Sequence, residues 1–177
     1  WEVRVFSPVE GPLRKKYEDA GLPVELLDVA DVLAAPDADT FHRRLGAFAG
    51  GLHWPDLDLI VGNTFLCYWI VHLGQLLGKP TALYVHESNT PRKFFIANQI
   101  AAPGIIPLAE QGLREAGRVI FTARATRQIL EEFNTRDHFR TLPSWVDLDR
   151  ISRFAAAHDK RALRLRQRRH RAPRQLA

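Results

Sequence analysis

The sequence has few of the residues that build disulfide or zinc frameworks, with one cysteine, Cys67, and no methionine. A single cysteine excludes an intrachain disulfide and a multi-cysteine zinc site, and it suits a reducing compartment. No two histidines have metal-ligand spacing beside an acid. We therefore expect no metal, no cofactor and a cytoplasmic location, with Cys67 as a small buried apolar side chain.

Three motifs of common nucleotide and hydrolase sites are also missing. The chain has no G-x-G-x-x-G, no Walker loop and no G-x-S-x-G, so the usual signatures of dinucleotide binding, nucleoside triphosphate binding and an α/β-hydrolase nucleophile are absent. An apolar stretch runs from Leu59 to Leu77, but Asn63, His72 and Gln75 interrupt it. A buried strand followed by a buried helix explains this stretch better than a membrane span.

Positive charge is concentrated at one end of the chain. Eight of the 25 Lys and Arg residues follow Asp159 with no acid among them, which leaves 17 basic against 20 acidic residues elsewhere. No aromatic residue follows Phe154, so the tail lacks the interleaved aromatics typical of a nucleic-acid-binding face. We predict a folded body over residues 1–159 and a basic tail over residues 160–177, helical at its start and then disordered, and we expect no nucleic-acid partner.

Strand-like and helix-like segments alternate along the body. Short apolar segments without a period of two are typical of strands in a parallel sheet, and the segments between them have helical spacing. The pattern predicts an α/β fold, a Rossmann-like parallel sheet with helices on both faces. Strands are predicted at residues 3–7, 23–27, 57–61, 81–85, 118–121 and 139–143, and helices at 13–20, 39–48, 65–77, 94–100, 110–116 and 123–133.

In such a sheet the ligand crevice lies beyond the carboxyl ends of the strands. His86, Glu87 and Ser88 follow the predicted strand 81–85, and a neutral imidazole can donate to or accept from a hydroxyl group. A hydrogen-bonded loop histidine without a catalytic role is an equally good interpretation of His86. Gly11 precedes a predicted helix, where a glycine either lets a ligand approach the backbone or simply permits a turn.

Five segments, in this order and spacing, resemble motifs of family-4 glycosyltransferases with the GT-B fold. The resemblance extends over residues 3 to 165, and Pro143-Ser-Trp-Val-Asp147 stands where that family usually has PNGVD. The five segments are GPL at 11–13, YEDAGLPV at 17–24, DLIVGNT at 58–64, GKP to HES at 78–88 and AGRVIFTA at 116–123.

The resemblance implies a retaining, hexosyltransferase-type enzyme that moves a sugar from a nucleotide-sugar donor to an acceptor hydroxyl, usually without a metal. Its active site would lie between two domains. His86 matches the family's histidine that contacts the transferred sugar, and it is therefore the candidate catalytic residue. The candidate substrate-binding residues are Asn63, Thr64, Glu87 and Ser88 beside it, with Gly11 as a wall of the cleft.

The resemblance also implies that residues 1–177 are the N-terminal, acceptor-side domain, truncated at both ends. The family's first strand and glycine-rich loop would precede Trp1, and its second domain would begin after about Arg166. We therefore expect the chain alone to be inactive. The expected partners are the nucleotide-sugar donor, a glycan or lipid-linked acceptor and the missing C-terminal GT-B domain.

Three alternatives stay open from the sequence. A basic helix face with Arg14, Lys15 and Lys16 predicts either peripheral membrane contact or an ordinary solvated surface. A stand-alone flavodoxin-like module would bind a small molecule in the same crevice without catalysis. An RNA-associated protein would use the basic tail and lose affinity steeply with salt.

Overall fold

The computed structural model describes residues 2–52, 56–100, 102–143 and 147–157. The chain divides into two compact units, Trp1–Pro143 and Ser144–Ala177. The strands of the first unit are β1 (Val5–Ser7), β2 (Val24–Leu26), β3 (Ile60–Asn63), β4 (Thr81–Val85), β5 (Arg118–Phe121) and β6 (Phe139–Thr141). Its α-helices are α1 (Arg14–Asp19), α2 (Ala30–Leu33), α3 (Ala38–Gly50), α4 (Trp69–Leu77), α5 (Pro91–Asn98), α6 (Ile106–Glu115) and α7 (Arg124–Ile129).

All described strand pairs are parallel. Strands β3, β4, β5 and β6 form one sheet in chain order, and β1 pairs with β2 in a separate two-stranded sheet. Each pair is joined by a connection that contains at least one helix, as parallel strands require. The predicted α/β class, a Rossmann-like parallel sheet with flanking helices, is confirmed, and the described strands form two sheets.

The core lies between the four-stranded sheet and its helices. Leu83, Val85, Val119 and Phe121 alternate along β4 and β5 and are fully buried, where they pack with apolar side chains of α4 and α6. On β3, a Cβ at Gly62 would lie 2.8 Å from Cys67 Cβ and 2.9 Å from Leu83 Cδ2. The glycine therefore lets the segment after β3 pack closely against the sheet.

The helix after β3 begins differently from its prediction. A 3₁₀ segment, Phe65–Tyr68, precedes α4, and Cys67 within that segment has non-helical dihedral angles. The predicted end is confirmed, because Gly78 adopts the left-handed conformation with φ of 65°, which glycine adopts without steric cost. The two segments together span the predicted residues 65–77.

Other helix boundaries moved because of proline and capping. Thr90 accepts a hydrogen bond from Lys93 N and Pro91 occupies the first turn of α5, so that helix begins before the predicted Phe94. α6 begins at Ile106 with Pro107 in its first turn, four residues before the prediction. The predicted helix 123–133 is α7 followed by a 3₁₀ turn, Glu131–Phe133.

The second unit contributes one described element, α8 (Leu148–Ala157), which the sequence pattern did not predict. Leu148, Ile151 and Phe154 recur along it at helical spacing and are more than half exposed. The predicted basic tail, residues 160–177, lies outside the described residues. Across the described ranges, no helix combines the length and the apolar character needed to span a membrane.

Candidate functional site

The carboxyl ends of β3 and β4 bring two predicted site residues into contact. Asn63 is in register with Tyr84, and His86 lies two residues beyond Tyr84, so strand alternation directs these side chains to the same face. His86 Nε2 lies 2.8 Å from Asn63 Oδ1. The ring centroids of His86 and Tyr84 are 4.7 Å apart in an edge-to-face arrangement.

This contact sets the tautomer of His86. An amide oxygen only accepts, so the Nε2–H of His86 donates to Asn63 Oδ1. The Nδ1 atom of the neutral ring is then an acceptor. Because His86 is exposed, its ring can accept a hydrogen bond from a ligand hydroxyl while Asn63 and Tyr84 hold it in place.

Thr64 turns the chain from β3 into the next helical segment. Its φ of 94° lies in the region that β-branched residues rarely adopt. Thr64 N donates to Tyr84 O at 2.7 Å, and its hydroxyl oxygen accepts from Leu66 N at 3.1 Å. Thr64 therefore caps the start of the helical segment, and its side chain is occupied by that role.

Glu87 directly follows His86, so its side chain points to the opposite side of the chain. Its carboxylate lies at the start of the 3₁₀ segment. The Oε2 atom accepts from His86 N at 3.1 Å and from Phe65 N at 3.3 Å. Glu87 therefore connects the segment after β4 with the segment after β3 through the backbone.

Ser88 connects the same segment to the next crossover. Its Oγ lies 3.5 Å from Oγ1 of Thr126, a buried residue of α7. The structure thus brings Asn63, Thr64 and Glu87 around His86, with Ser88 directed toward α7.

Gly11 lies in the exposed connection between β1 and α1. Its N–H donates to Glu10 Oε1 at 3.2 Å and its carbonyl accepts from Arg14 N at 3.1 Å. A Cβ at Gly11 would meet no heavy atom within 4 Å. In the part of the chain that the structure describes, Gly11 has no hydrogen bond to β3, β4 or the residues that follow them.

Cys67 also contacts the end of β3, because its Sγ donates to Asn63 O at 3.3 Å. The thiol is half-buried, and burial raises the pKa of the Cys67 thiol above its ordinary value. A thiol that stays protonated is a poor nucleophile. Over the described ranges, no three His, Cys, Asp or Glu side chains lie together in a metal-binding group.

Sequence reasoning did not single out Tyr84 or Thr126 as members of this site. Tyr84 was detectable, because strand alternation places residues 84 and 86 on one face. Thr126 carries no such signal, since its contact with Ser88 depends on how α7 packs.

The sequence profile of Glycosyltransferase Family 4 matches residues 1–150, which include both sheets and every predicted site residue. A search of curated proteins finds no match to the chain. Because the profile match covers 150 of the 177 residues, it shows that this chain belongs to Glycosyltransferase Family 4.

Proposed function

We propose that the crevice at the carboxyl ends of β3 and β4 binds the sugar that a retaining, hexosyltransferase-type enzyme moves from a nucleotide-sugar donor to an acceptor hydroxyl. The observation that supports this proposal is the exposed His86 ring, held by Asn63 at 2.8 Å with its second nitrogen left as an acceptor. That nitrogen suits a sugar hydroxyl, which is a hydrogen-bond donor.

The other candidate residues have supporting parts in this proposal. Asn63 orients the His86 ring, and Thr64 and Glu87 shape the backbone beneath it. Ser88 is exposed, and its hydroxyl can bind a second hydroxyl of the sugar or the acceptor. Gly11 would be a wall of the cleft on the β1 side.

Catalysis in this proposal also requires a second domain. Transfer needs a donor and an acceptor held in orientation and stabilisation of the charge on the departing phosphate. The family resemblance assigns most donor contacts to the C-terminal GT-B domain. Residues 1–177 alone should therefore give no transfer.

The test compares two proteins with the same set of nucleotide sugars and glycan or lipid-linked acceptors. We expect no product from residues 1–177 and product when these residues are joined to a family C-terminal domain. Turnover by residues 1–177 alone would contradict the requirement for a second domain. No product from the joined protein with any donor, together with no saturable sugar-nucleotide binding, would contradict the transferase proposal itself.

We also propose a cytoplasmic enzyme that contacts membranes only peripherally, when its acceptor is lipid-linked. Arg14 of α1 pairs with Glu18 and with Glu10, which precedes the helix, and Lys15 pairs with Asp19. These pairs neutralise much of the basic face, so binding should be weak. Co-sedimentation with anionic and with neutral vesicles tests this membrane contact. Equal recovery of the protein with both kinds of vesicle would contradict an electrostatic contribution to it.

A further inference from the structure

The Glu87 carboxylate joins two segments that are far apart in the sequence. Its Oε2 atom accepts hydrogen bonds from His86 N at 3.1 Å and from Phe65 N at 3.3 Å. Phe65 lies 22 residues before Glu87 in the sequence. One oxygen of one side chain thus holds the backbone that follows β4 against the backbone that follows β3. His86 and the partner of its ring, Asn63, lie directly beside these two amides.

The backbone at this junction is strained. A non-glycine residue with positive φ is energetically unfavourable and persists where surrounding contacts impose it. Thr64, with φ of 94°, directly precedes Phe65. Its own amide and hydroxyl are bonded to Tyr84 O and Leu66 N, and the next amide along the chain is the one that donates to Glu87.

Two consequences follow from the position of this bend. The bend ends β3 directly after Asn63, which fixes where the Asn63 amide lies. The bond from His86 N to Glu87 fixes the start of the segment that carries the imidazole. Both members of the 2.8 Å Asn63–His86 pair are therefore set by backbone groups that Glu87 holds.

We propose that Glu87 is a positioning residue, whose carboxylate maintains the Thr64 bend and thereby the Asn63–His86 pair. The effect of Glu87 on catalysis rests on the proposed function of His86. The effect of Glu87 on the backbone is independent of that function. A role in direct ligand binding would use the Oε1 atom, for which the described residues supply no hydrogen bond, and is the competing interpretation.

The first test needs no activity and uses residues 1–177 in solution. Carboxylate protonation weakens its bonds to amides, so the amide proton resonances of His86 and Phe65 should shift together in an acid titration followed by NMR. His86 and Cys67 are titratable groups beside Glu87, so the variant Glu87→Gln identifies the source. It should abolish the joint shift, and the matched control Glu132→Gln, at an exposed carboxylate, should preserve it.

Glu87→Ala should raise the hydrogen-exchange rates of the His86 and Phe65 amides at least tenfold, whereas Glu87→Gln, which keeps an acceptor oxygen, should raise them much less. If Glu87→Ala does not fold, the wild-type titration and Glu87→Gln still decide the proposal. Amides that do not titrate together in the wild-type protein would overturn it. Exchange rates that are equal in Glu87→Ala and wild type would do so as well.

The second test uses the protein joined to a family C-terminal domain. A positioning role predicts that Glu87→Ala lowers kcat more than it raises KM, and that Glu87→Gln restores most of kcat. Direct ligand binding predicts a raised KM in both variants with unchanged amide exchange. An inactive wild-type joined protein would count against the proposed function alone, since the NMR test stands without it.

Discussion

His86 and His138 are the same residue type in opposite environments at the two ends of one sheet. His86 follows the carboxyl end of β4, is exposed and is held by the side chain of Asn63. His138 precedes the amino end of β6, is 2% exposed, and its Nε2–H donates to the main-chain carbonyl of Leu113 at 2.8 Å. His72 resembles His138, since it is buried on α4 and bonds Leu108 O.

The two histidines differ in whether the second ring nitrogen is accessible to a ligand. His86 presents a nitrogen to solvent, whereas the Nδ1 atom of His138 is buried without a hydrogen-bond partner in the described structure. Both buried histidines donate to carbonyls of α6, near its start and near its end. They are expected to contribute to stability, and His86 to ligand binding.

The largest expected effect is on activity. His86→Ala, in the protein joined to a family C-terminal domain, should lower kcat/KM roughly 100-fold or more, as removal of a hydrogen-bonding group at a reacting centre does. Its urea midpoint should change little, because His86 is exposed. His42→Ala, at an exposed histidine outside the crevice, is the control and should keep activity. Full activity in His86→Ala would remove the assigned role.

The second effect is on stability. His138→Ala removes the donor to Leu113 O and leaves that carbonyl unpaired near the end of α6, which costs about 1–3 kcal/mol. Urea unfolding of residues 1–177 measures this cost, and nucleotide-sugar binding by the folded variant should be unchanged. A variant as stable as wild type would show that His138 is not a structural histidine.

The third effect is on the pH dependence of stability. Burial lowers the pKa of His138, opposed by its bond to Leu113 and assisted by Arg136, Arg118 and Arg140. The unfolded chain therefore binds a proton near pH 6.5 that the folded chain does not. The contribution of neutral His138 to the free energy of unfolding is complete above about pH 6.5. It is lost as the pH falls toward the lower pKa of His138 in the folded state.

The expected slope is at most about 1.4 kcal/mol per pH unit for each such histidine. Burial lowers the pKa of His72 as well, so the two effects add in the same direction. Urea midpoints between pH 7.5 and 5 should fall for wild type and fall less for His138→Gln, which keeps an N–H donor. Identical pH profiles for the two proteins would contradict this assignment.

The sequence was sufficient where a local signal and the fold agree. Strand β4 has the predicted bounds, because Pro80 ends the preceding turn and the apolar residues after it are typical of a buried strand. The sequence placed Asn63 after a strand predicted at 57–61, whereas β3 is Ile60–Asn63 and includes it, so the pairing of Asn63 with His86 depends on a register that the sequence did not predict. The positive φ of Thr64 and the two amides at Glu87 were not predictable, because they arise from how β3 and β4 meet in space. The short helix α2 was missed since four residues show no period.

The smallest expected effect on stability is at Gly11. A Cβ there meets no heavy atom within 4 Å, and Gly11 is exposed with no positive φ, so Gly11→Ala should change the free energy of unfolding by less than about 0.5 kcal/mol. A cleft wall predicts a raised KM for donor or acceptor in the joined protein with kcat nearly unchanged, because a methyl group there would narrow the approach of the ligand to the backbone. Since stability is unaffected, the kinetic constants alone decide whether Gly11 is a wall of the cleft or an ordinary turn glycine.

The control is Gly46→Ala, at an exposed glycine of α3 that also has open space around it. Equal KM values in the two variants would leave Gly11 as a turn residue.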